Sequence, residues 1–86
     1  MAENNITCKV LFFASAAEAT GQREQTVEVA LGATVAELFA ILSSESPALQ
    51  QLQKICAFAI EEKLVHADTE ITESCTIAVL PPVSGG

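Results

Sequence analysis

The sequence predicts an α+β fold, a mixed sheet of about five strands with one main helix packed across it as a two-layer roll. Three observations predict it. Short apolar runs of strand length recur at Thr7–Phe13, Gln25–Leu31, Cys56–Ile60 and Thr76–Leu80. One segment, from Val35 to Leu42, carries a sustained helical period behind a capping signal. The order is strand, strand, helix, strand, short strand, strand, and a right-handed crossover through the helix brings the last strand beside the first.

Thr7–Phe13 reads as the first strand, with Thr7, Lys9, Leu11 and Phe13 on one face and Cys8, Val10 and Phe12 on the other. Ser15 with Glu18 three residues on is a capping-box pattern, so a short helical turn follows and Gly21 stops it. Gln25–Leu31 alternates, placing Val27, Val29 and Leu31 on one face, and pairs with the first strand. Thr34 and Glu37 form a second capping box. Val35, Leu38, Phe39, Ile41 and Leu42 supply the apolar stripe of the main helix. Ser46-Pro47 starts a short helix through Leu52, with Ser as cap and Pro at the first helical position. Cys56–Ile60 is the third strand, Glu61–Lys63 its turn, Leu64-Val65 a short fourth strand, and Thr76–Leu80 the last.

The 86 residues make one domain over 1–80 and an extended tail over 81–86. Pro81 and Pro82 fix φ and disfavour helix, while Gly85 and Gly86 lack Cβ atoms and fit a narrow channel. At ~3.3–3.6 Å per residue the six residues reach at most roughly 20 Å, enough to place a terminal carboxylate inside a partner's active site. Strand parity adds a docking face: if Cys8, Val10, Phe12, Ile77 and Val79 face the helix, then Leu11, Phe13, Ala78 and Leu80 face outward, with Leu64 at the edge. Half of the chain is apolar and mean hydropathy is +0.40, more apolar surface than so small a core absorbs.

The net charge of −7 opposes nucleic-acid binding, which needs Lys and Arg against phosphate. No apolar run approaches the ~20 residues of a membrane span, and the start lacks a secretory signal, so a cytoplasmic protein is expected. Cys8, Cys56 and Cys75 are odd in number and widely spaced, a pattern of buried thiols and not of a disulfide frame or metal site. His66 reads as a solvated loop residue, and no nucleophile, base and orienter come together. The one reactive handle is the carboxylate of Gly86. It is inert until adenylated with ATP by a second enzyme, after which a sulfur or nitrogen nucleophile can attack it.

Lys9–Ala14, Glu18–Gly21, Thr34–Leu38 and above all Ile77–Gly86 carry a family pattern. On these segments the chain resembles the small, sulfur-carrier subunits of molybdopterin synthase, which are ubiquitin-like β-grasp proteins. The resemblance implies that an activating enzyme adenylates Gly86, that a sulfur donor converts it to a thiocarboxylate, and that the tail enters the synthase large subunit. There the sulfur passes to the cyclic pyranopterin precursor in molybdenum cofactor biosynthesis. It implies a heterotetramer whose active site lies mainly on the large subunit, so that this chain donates sulfur without catalysing the reaction or binding a cofactor. Gly86 then bears the sulfur, Gly85 is its slender neighbour, and Pro81, Pro82, Val83 and Ser84 line the tunnel contact. Departures from the family pattern fall at Ala17, at Glu61 and in the Glu73–Thr76 turn. The alternatives are a sulfur carrier for thiamine or tRNA thiolation, a ubiquitin-like modifier joined to lysines, and an interaction module with an idle tail.

Overall fold

The computed structural model describes residues 4–44 and 46–82. Five strands, β1 (Asn5–Phe12), β2 (Glu24–Ala30), β3 (Ala57–Ile60), β4 (Lys63–Val65) and β5 (Thr76–Leu80), form one sheet in the order β2-β1-β5-β3-β4. Three helices, α1 (Ala14–Thr20), α2 (Val35–Ser43) and α3 (Pro47–Gln51), accompany it. The central pair β1–β5 is parallel, and every other pairing is antiparallel. This is the expected α+β architecture, with the first and last strands side by side.

Strand alternation sorts the sheet into two faces. Cys8, Val10, Phe12, Ile77, Val79 and Phe58 are buried on one, against Val35, Leu38, Phe39 and Leu42 of α2. Phe39 and Phe58 meet edge to face, with ring centroids 5.4 Å apart. Ile41 is not part of this stripe and is half exposed. At 3.6 residues per turn it sits about 110° round the helix from the centre of the buried positions. Leu31 also departs from expectation. It lies past the end of β2 in the turn that Gly32 makes at φ 89°, and is half exposed.

The expected capping box of α2 forms in full. Glu37 N–H donates to Thr34 Oγ1 at 3.1 Å, and Thr34 N–H donates to Glu37 Oε1 at 2.9 Å. The loop between β4 and β5 completes the helix start: Val35 N–H donates to Thr69 O and Ala36 N–H to Ala67 O. These bonds occupy donors that a helix N-terminus otherwise leaves unpaired. The same loop buries Ile71, whose N–H donates to Ala33 O while its carbonyl accepts from Gly32 N–H. Ser46 caps α3 through Leu49 N–H with Pro47 in the first turn, and its hydroxyl donates to Ala19 O, tying α3 to α1.

The capping box expected at Ser15 is absent. Helix α1 starts at Ala14, two residues before the start that a Ser15 cap implies; the φ of 51° at Ala14 turns the chain sharply out of β1, and no side chain caps the helix. Ser15 therefore lies inside the first turn, where it is no longer the residue preceding the free amides. Gly21 does end the helix as expected, in the left-handed region at φ 72° with its N–H on Ala17 O at 2.8 Å.

Candidate functional site

Among the described residues, no helix packs over the outer face of the sheet. Its register places Leu11 beside Ala78, Ala78 beside Ala59, and Ala59 beside Leu64, one row across four strands. With neighbouring strands ~4.8 Å apart, Leu11 and Leu64 stand roughly 14 Å from each other across a floor of two alanines. The next row toward the C-terminal end of β5 pairs Leu80 with Ala57. Phe13 extends the Leu11 side of this face, because its backbone continues extended for one residue past β1. Leu64 is 74% exposed and Phe13 46%, while Leu11, Ala78 and Leu80 are half-buried.

The face is apolar at one end only. Toward the start of β1, Thr7 pairs with Glu28 and Lys9 lies between Thr26 and Thr76. Beside its apolar end, Leu11, Phe13, Ala14 and Ala17 border a cavity of about 510 Å³ rimmed by Glu18, Arg23 and Glu24. Ala17, one of the departures noted above, thus contributes a methyl group to this cavity. Ala57 and Ala59 were absent from the sequence reading of the face, although the alternation through Phe58 and Ile60 would have supplied them.

Strand β5 delivers the chain to the apolar end. Val79 O accepts from Phe13 N–H at 3.3 Å, Pro81 is buried and Pro82 is exposed. Val83, Ser84, Gly85 and Gly86, the remaining predicted site residues, lie outside the described residues.

Glu61, another departure from the family pattern, has a defined task. The β3–β4 turn places both Glu61 and Glu62 at positive φ, 50° and 71°, the conformation of a two-residue hairpin turn. From there the Glu61 carboxylate accepts Thr76 N–H at 2.9 Å, and Glu61 N–H donates to Thr76 O at 2.9 Å. The altered Glu73–Thr76 segment is thus pinned at its end by a side chain from the neighbouring turn.

All three cysteines are free. Cys8 is buried as expected, but Cys56 and Cys75 are only half-buried. Burial pushes the Cys56 thiol up. His66 is exposed, and no group of three metal-ligating side chains gathers among the described residues. No helix among them is long and apolar enough to cross a membrane.

The geometry thus offers an apolar face that no described helix covers, and a strand that ends beside it. Comparison with known proteins gives the same direction. The ThiS family model matches residues 10–86. The molybdopterin synthase sulfur carrier subunit of Chlamydomonas reinhardtii is 36% identical over 80 residues, covering 91% of this chain and 96% of that protein. Among solved structures, SAMP1 (small archaeal modifier protein 1) of Haloferax volcanii superposes with a TM-score of 0.81 at 25% identity, covering 93% of this chain and 99% of that one. A chain from the complex of subunits 1 and 2 of the molybdopterin-converting factor from Helicobacter pylori superposes with a TM-score of 0.66 at 26% identity, covering 94% and 100%. The fold is the ubiquitin-like β-grasp.

Proposed function

The chain belongs to the ThiS family, and from that premise we propose that it is the sulfur carrier subunit of a molybdopterin synthase. The observation that carries this reading is its relatedness, over nine-tenths of its length, to a protein of that name. The Helicobacter pylori complex of two converting-factor subunits supports a large-subunit partner.

In the proposed cycle the Gly86 carboxylate attacks the α-phosphorus of ATP on an activating enzyme, forming an acyl-adenylate and releasing pyrophosphate. A sulfide-equivalent nucleophile then attacks the acyl carbon, the carbon–oxygen bond to phosphate breaks, and AMP leaves with the electron pair. The resulting thiocarboxylate carries one sulfur to the pyranopterin precursor held by the large subunit. This chain's part is positional. The face of Leu11, Phe13, Leu64, Ala78 and Leu80 docks on the large subunit, and Pro81 and Pro82 lead Val83, Ser84, Gly85 and Gly86 into its active site. Without the activating enzyme and the large subunit it has no turnover, and the setting proposed for all three is the cytoplasm.

Intact mass spectrometry of the chain co-expressed with its activating enzyme tests this. The expected product has one C-terminal oxygen replaced by sulfur, and deletion of Gly86 abolishes sulfur transfer while the fold persists. A Gly86-deleted chain that still supports molybdopterin synthesis overturns the mechanism. The similarity to SAMP1 favours one second reading, a protein modifier, which adducts on target lysines would establish instead.

A further inference from the structure

The sulfur atoms of Cys8 and Cys75 lie 3.9 Å apart, although 67 positions separate the residues. The parallel ladder explains the meeting. Lys9 pairs with Thr76, so Cys75 is one step before β5 in the same register, and Lys9 N–H donates to Cys75 O at 3.0 Å. Parity turns both side chains to the helix-covered face. Strands in register lie ~4.8 Å apart, inside the ~4.4–6.8 Å range of Cα separations that a disulfide spans. The Glu61 carboxylate on Thr76 N–H holds the segment there.

We propose that Cys8 and Cys75 are a closable pair, which a low-molecular-weight disulfide of the glutathione type oxidises to an intramolecular disulfide stapling β1 to the root of β5. The half-buried Cys75 attacks first, as thiolate, and one glutathione leaves as thiolate from the resulting mixed disulfide. Cys8 then attacks the Cys75 sulfur, and the second glutathione leaves. Two protein S–H bonds become one S–S bond, the small disulfide becomes two thiols, and two electrons pass from protein to glutathione. A metal is the poorer occupant, because no third ligand joins the two sulfurs among the described residues.

The surroundings make this a slow clasp. Desolvation first, then Cys8, then the carboxylates of Glu61 and Glu73 push the Cys75 thiol up to about 12. Little thiolate exists near neutrality, so closure is slow and accelerates with pH. Reduction is slow as well, since a basic thiolate is a poor leaving group.

The full-length chain, incubated in glutathione buffers of increasing oxidised fraction and quenched with an alkylating agent, tests the pair. The expected product has lost two hydrogens, carries alkyl label on Cys56 alone, and yields a linked Cys8–Cys75 peptide. Its melting temperature rises by about 10 °C, since the bridge closes a long loop. The Cys56→Ser variant retains the link and Cys75→Ser loses it. Three labelled thiols under strongly oxidising buffer, a stable glutathione adduct, or a link through Cys56 each overturn the proposal.

Discussion

The two faces of this sheet are built from the same strands and differ only in residue parity. On the inner face Val10, Phe12, Ile77 and Val79 are closed off by α2, and their contribution is to stability. On the outer face Leu11, Phe13, Ala78, Leu80 and Leu64 are comparably apolar, yet no helix among the described residues lies above them. A single-layer cover uses one face, and the second is the surface proposed above for docking. Substitutions one residue apart on β1 should therefore report on different processes.

The largest effect is expected inside. Phe39→Ala empties the contact with Phe58 at the centre of the core and should cost about 3–5 kcal/mol in urea unfolding. A cost near that of a surface change would show that α2 does not seal this face. Outside, Phe13→Asp should move stability by less than about 1 kcal/mol. It should weaken calorimetric binding to a molybdopterin synthase large subunit on the order of 100-fold, by burying an unpaired carboxylate. Unchanged affinity would remove the outer face from the proposed interface. The smallest effect belongs to Leu64→Ser at the sheet edge, with stability unchanged within ~0.5 kcal/mol and affinity lowered less than about 10-fold. A larger loss would extend the interface centre beyond β3.

Much of this division was legible in the sequence because it depends on local patterns. Period-two alternation placed Cys8, Val10 and Phe12 against the helix, and the caps at Thr34 and Ser46 rest on partners only three residues away. What escaped depends on distant partners or on unusual backbone. Ala14 takes a left-handed φ that alanine gives no hint of, so the first helix starts before its apparent cap. Ile71 sits in a stretch without period, and its burial follows from docking on Ala33 and Gly32. The Cys8–Cys75 contact needs the parallel register, which no short window contains. Of the proposed site, the apolar face was readable from parity, whereas the Glu61–Thr76 bond depends on a hairpin turn formed by two glutamates in place of the usual glycine and asparagine.

Strand β5 also governs when the molecule can come into being. It lies between β1 and β3, and among the described strands it alone joins the β1–β2 hairpin to the β3–β4 hairpin. Until β5 is made, the β1–β2 pair and the β3–β4 hairpin share no strand pairing, and isolated two-stranded pairs are marginal in water. Folding must then wait for a pairing between distant parts of the chain, which is entropically slow. The strand that leads to Gly86 is thus also the keystone of assembly. A polypeptide shortened before β5 should show no cooperative unfolding transition.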